Sequence, residues 1–89
     1  MSPMRVVIID DHAVFAESLS LVLADAGHSV VGVAFSPADA LPVLRTGRPE
    51  VCLIDLRFPS GTALDWMGRL RAASPPTSFV VLTGFLEQP

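Results

Sequence analysis

Two hydrophobic periods alternate along this chain. Short, nearly unbroken apolar runs, namely Val6-Val7-Ile8-Ile9, Ser29-Val30-Val31-Gly32-Val33-Ala34, Val51-Cys52-Leu53-Ile54 and Phe79-Val80-Val81-Leu82, are rich in β-branched residues and too short for helices. Runs of this kind predict strands covered on both faces, as in a parallel sheet. Between them the period lengthens. Phe15, Leu19, Val22 and Leu23 recur at helical spacing, as do Leu64, Met67 and Leu70.

These stripes predict helices with readable ends. The first starts at Val14 and is terminated by Gly27; the second covers Pro37 to Arg45 and stops before Gly47. Ser36 supplies its N-cap, Pro37 its first position and Asp39 an acid in its first turn. Pro42 conflicts with that helix, since an interior proline removes the bond to Ala38 and predicts a kink or a shorter helix. Thr62-Ala63-Leu64-Asp65 reads as the cap of a third helix ending near Ala73, with Ser74-Pro75-Pro76 stopping it. Strands alternating with helices over short links imply right-handed crossovers and one α/β domain over residues 1–89.

Composition adds three constraints. The chain is 51% hydrophobic with a mean hydropathy of +0.54, an excess that doubly covered strands account for without a membrane. No run approaches the length of a bilayer span, and Met1 to Arg5 lacks the apolar stretch of a signal peptide, so a cytoplasmic location is expected. Six arginines, no lysine and a net charge of -3, with no basic run, leave nothing to grip DNA directly. The lone Cys52 lies inside an apolar strand and is read as packing.

The chemistry sits where two strands end. Val6 to Ile9 is followed by Asp10 and Asp11, and Val51 to Ile54 by Asp55. The carboxyl ends of parallel strands form the ligand crevice of an open α/β sheet, so three acids converge there. Carboxylates about 4 Å apart repel by roughly 1 kcal/mol per pair in water and about 4 kcal/mol in a half-buried crevice. A hard divalent cation, Mg²⁺ above all, offsets that repulsion, and Asp55 becomes a nucleophile toward a phosphoryl group.

The segments Val6-Val7-Ile8-Ile9-Asp10-Asp11-His12, Leu53-Ile54-Asp55-Leu56-Arg57-Phe58-Pro59 and Val80-Val81-Leu82-Thr83-Gly84 together resemble the receiver domain of a two-component response regulator, in particular the kind fused to a LuxR/NarL-type helix-turn-helix. The resemblance covers nearly the whole chain and implies a flavodoxin-like parallel sheet with helices on both faces. It implies that Asp55 accepts the phosphoryl group and that Asp11, Asp55 and the backbone carbonyl of Arg57 bind Mg²⁺, with Asp10 assisting through water. Thr83 is then the switch hydroxyl. The implied partners are a sensor histidine kinase, a second copy of the chain, and DNA only through an output domain.

Departures from the family pattern set further expectations. Phe58 stands where methionine is usual and Ala63 where glycine is usual, while Gly61 lies two residues earlier. A receiver has five strands and five helices; this chain has room for four strands and three helices, and the lysine that follows the fifth strand has no counterpart. The face that the last helix would cover is therefore expected to be bare and the fourth strand to form an open edge. Either a longer chain or a dimer would satisfy that surface.

Bland and rival readings accompany the sharp ones. His12 reads as a polar turn residue in preference to a metal ligand, His28 as structural, and Trp66 and Phe58 as packing or surface contacts. A cobalamin module begins with Asp-x-His, but Phe15 breaks its motif. A phosphohydrolase with an aspartyl nucleophile lacks its second acid, since Arg57 stands two residues after Asp55. A degenerate receiver, serving as a phosphorylation-independent dimerisation or interaction module, is the alternative from a different class.

Overall fold

The computed structural model describes residues 2–82, which form nine elements: β1 (Arg5–Ile9), α1 (Ala13–Asp25), β2 (Ser29–Ala34), α2 (Pro37–Gly47), β3 (Val51–Asp55), β4 (Arg57–Phe58), β5 (Gly61–Thr62), α3 (Ala63–Ala73) and β6 (Ser78–Leu82). The four long strands make one parallel sheet in the order β2-β1-β3-β6. Its direction of growth reverses between β1 and β3, which is the switch point at which such sheets open a crevice.

Alternation decides which residues meet which helix. Along β1, Val7 and Ile9 join Ala40 and Leu44 of α2 and Leu70 of α3 in one core, while Val6 and Ile8 turn to the other face and Ala16 of α1. β3 divides likewise, with Cys52 and Ile54 on the α2 and α3 side and Leu53 toward α1. Burial pushes the Cys52 thiol up to about 12, consistent with an inert packing role.

β2 obeys this alternation only because it contains a bulge. Val6 pairs with Val30 but Val7 with Gly32, so Val31 is looped out and the parity reverses. Val30 and Val33 consequently both face α1, while Ala34 faces α2. Gly32 is required at the point of reversal, because a Cβ there would collide with the Val43 side chain of α2.

Three boundaries differ from the sequence expectation. α2 does not stop at Arg45: it runs to Gly47 and closes on Arg48, whose left-handed backbone (φ 42°) donates its N–H to the Leu44 carbonyl. Pro42 does not shorten the helix. Its side is exposed, so the Ala38 carbonyl it cannot serve lies toward water, while buried Ala40 and Leu44 hold the turns on either side. The caps are as expected: Ser36 Oγ accepts from the Asp39 N–H at 3.1 Å, and the Asp65 carboxylate accepts from the Thr62 N–H at 2.9 Å. The third difference is the pair β4–β5, two residues each and antiparallel, which no hydrophobic period announces.

At the amino ends of the strands a buried hydroxyl pair joins two loops. Ser74 Oγ lies 2.6 Å from Thr77 Oγ1, which donates to the Pro49 carbonyl at 2.6 Å. The loop before β3 and the loop before β6 are thereby fastened together.

Candidate metal and phosphoryl site

β1 and β3 are in register with Ile9 opposite Ile54, so the next residues, Asp10 and Asp55, leave the sheet side by side. The Asp10 N–H still donates to the Ala34 carbonyl at 3.0 Å, and the Leu56 N–H to the Leu82 carbonyl at 3.2 Å, so both acids are held by the ladder they terminate. Both are buried. Asp11, one residue into the turn, has a side chain 30% exposed and forms the outer wall.

The sequence left His12 as a turn residue, yet the structure puts its ring at the centre of the acids. Nδ1 lies 2.8 Å from Asp10 Oδ1, 3.4 Å from Asp11 Oδ1 and 3.8 Å from Asp55 Oδ2. Asp10 Oδ1 also accepts the His12 backbone N–H at 2.8 Å, a local turn that fixes the carboxylate before α1 begins. The hydrogen bond to Asp10, then the negative charge of Asp11, raise the His12 pKa above its ordinary value. The signal in the sequence was the triplet Asp10-Asp11-His12 itself, directly after a buried strand.

One donor atom from each of Asp10, Asp11, His12 and Asp55 lies within 4.8 Å of all the others. Three carboxylate oxygens at a strand-end crevice are a hard donor set, and they fit an oxygen-loving divalent cation such as Mg²⁺. Asp55 Oδ1 accepts the Leu56 N–H at 2.9 Å, which fixes the carboxylate plane.

The segment after Asp55 is built to return quickly. Arg57 starts β4 and pairs with Thr62, Phe58 pairs with Gly61, and Pro59-Ser60 make the two-residue link. Gly61 has φ +127° and no room for a Cβ, which would lie 2.8 Å from Asp65 Oδ2. The Ala63 N–H then donates to the Leu56 carbonyl at 2.8 Å. Phe58 and Ala63, the two departures from the family pattern, are both buried in the core beneath the site, so Phe58 is packing. Trp66 is half-buried, with the Arg69 guanidinium 3.9 Å from its ring centroid. His28 Nδ1 accepts the Met4 N–H at 3.1 Å, a structural role remote from the acids. Thr83 lies outside the described residues.

Comparison with known proteins gives one consistent result. The family described as response regulator receiver domain matches residues 6–89. The chain is 34% identical over 80 residues to the transcriptional regulatory protein DltR of Streptococcus agalactiae serotype III (strain NEM316), covering 90% of this chain and 35% of that protein. It is 33% identical over 82 residues to the DNA-binding transcriptional activator DevR/DosR of Mycobacterium tuberculosis (strain ATCC 25618 / H37Rv), covering 91% and 38%. The chain thus spans little more than a third of these relatives' length. Among solved structures, the signal receiver domain of the putative response regulator NarL from Mycobacterium tuberculosis superposes with a TM-score of 0.80 at 31% identity, covering 93% of this chain and 68% of that one.

Proposed function

We propose, from the premise that this chain belongs to the response regulator receiver domain family, that it accepts a phosphoryl group on Asp55 from a phosphohistidine of a sensor histidine kinase. The observation that carries the reading is the convergence of Asp10, Asp11 and Asp55 at the switch point between β1 and β3. Asp10, Asp11, Asp55 and the Arg57 backbone carbonyl would hold Mg²⁺. When bound, the cation supplies positive charge against the carboxylates and the incoming phosphoryl oxygens.

The chain's own residues do the rest. An Asp55 carboxylate oxygen attacks phosphorus; a P–O bond forms as the P–N bond to the donor imidazole breaks, and that ring, already protonated at its other nitrogen, leaves as neutral imidazole. The Leu56 N–H keeps the Asp55 carboxylate in one orientation through Oδ1. Burial of Asp10 and Asp55 at the floor of the crevice limits water there. The reaction is a single acceptance, with no turnover of a small substrate. Thr83, following β6, is assigned the switch hydroxyl that turns toward the phosphoryl group and couples it to the surface.

The output is a DNA-binding domain in a longer protein, as the names of the relatives suggest, in a cytoplasmic setting. No helix among the described residues is long and apolar enough to cross a membrane. The sheet face beyond α1, where Val80 is exposed, supports contact with more protein: the rest of a longer chain, or a second copy in a homodimer.

Acetyl phosphate with Mg²⁺ tests the reading. Intact mass should rise by one phosphoryl group in the wild-type chain and stay unchanged in Asp55→Asn, and beryllofluoride should bind only the former. Equal behaviour of the two proteins would replace this reading with the phosphorylation-independent interaction module.

A further inference from the structure

We propose that His12 sets the metal preference of the acid pocket, opposing Mg²⁺ and favouring divalent ions that accept a nitrogen ligand. The inference rests on the metal-site reading above and deepens it. Its basis is position: Nδ1 lies within 3.8 Å of an oxygen from each of the three carboxylates.

A cation bonded to these oxygens needs Mg–O distances of about 2.0–2.1 Å. The ring nitrogen faces the same oxygens, so ring and ion compete for them unless the ring itself ligates the ion. Mg²⁺ takes oxygen donors and keeps several waters, so the ring gains no bond from it and holds back an Asp10 oxygen, through the 2.8 Å contact, that the ion would draw on. The ring is able to move, because its side chain is 60% exposed. Ions such as Ni²⁺ accept imidazole readily, so for them the same ring stays and adds a ligand to the carboxylates. The 2.8 Å separation from Asp10 is close to that of adjacent ligands on a small ion, while the 3.4 and 3.8 Å separations from Asp11 and Asp55 have to adjust by roughly a few tenths of an ångström as the ion enters.

His12 has a second hold on the pocket. Its backbone N–H orients Asp10, and that bond does not depend on the imidazole. His12→Ala therefore removes the ring without releasing the carboxylate, which makes it a clean test.

The experiment is calorimetric titration of the full 89-residue chain with MgCl₂ and, separately, NiCl₂ at one fixed pH, for wild type, His12→Ala, His12→Gln and Asp55→Asn. Removal of the ring should tighten Mg²⁺ binding and weaken Ni²⁺ binding, moving the ratio of the two affinities by about tenfold or more, the scale on which ligand-shell changes act. Nickel should also perturb the His12 ring resonances in NMR spectra of the wild type, and magnesium should shift them toward those of a free, solvated histidine. An unchanged affinity ratio in His12→Ala, with metal binding still lost in Asp55→Asn, overturns the role of His12 and leaves the acid site standing. Metal binding that survives Asp55→Asn unchanged overturns both. A loss of Mg²⁺ affinity in His12→Ala that His12→Gln restores also overturns the proposal, since the ring would then be supporting the magnesium site.

Discussion

On one face of the sheet α2 and α3 enclose Val7, Ile9, Cys52, Ile54, Leu44 and Leu70, with Phe79 and Val81 of β6 packed against them. On the other face α1 is the one helix among the described residues that covers Val6 and Ile8, and β6 presents Val80 at 45% exposure. The strands are equally apolar on both sides, so their sequence does not produce the difference. It comes from the number of helices available to each face: two on one and one on the other among the described residues. α1 shows the same imbalance in itself, with Ala16 buried against the sheet while Leu21 and Val22 are 72% and 65% exposed. High hydrophobic content therefore reports how much surface wants cover; whether it finds cover depends on which elements are present to provide it.

Substitutions on the two faces sharpen this contrast. The largest effect belongs to Leu70→Ala, which opens a cavity in the covered core and should lower stability by about 2–5 kcal/mol, read as a shift of the urea midpoint. Cys52 labelling offers a second readout of the same variant: its thiol, buried and pushed up to about 12, should resist alkylation in the wild type and react faster as the core loosens. Next comes Gly32→Ala, where the new Cβ meets Val43 across the β2–α2 contact; about 1–3 kcal/mol of overpacking is expected in the same assay. Smallest is Val80→Ala on the uncovered face, which should change stability by no more than about 0.5 kcal/mol. A cost for Val80→Ala that equals that of Leu70→Ala, and that grows with protein concentration, would break the contrast and show the face covered by a second copy.

Much of this architecture was readable from period alone. Four strands, three helices and the meeting of Asp10, Asp11 and Asp55 follow from apolar runs that end in acids, because a doubly covered strand has few other patterns. What could not be read was set by contacts between distant segments. The bulge at Val31 turns Val33 toward α1 and Gly32 toward α2; Gly32 inside β2 hints at it, but which residue is looped out depends on the pairing with β1. α2 outlasted its expected end because Arg48, not the anticipated Gly47, takes the left-handed position; Gly47 instead lies where Val31 approaches closely, 3.1 Å from where a Cβ would stand. β4 and β5 are too short for any period. His12 was legible only as a neighbour of acids, and its place at their centre follows from the turn that Asp10 makes back to the His12 N–H.

The linked hydroxyls of Ser74 and Thr77 with the Pro49 carbonyl carry one last implication. They rivet β3 and β6 together at the end opposite the acids, where both oxygens are out of reach of water. A displacement of β6 from its acid end would therefore be smallest near Thr77 and grow toward Leu82. The lever's long arm lies beside Asp55, which pairs with Leu82.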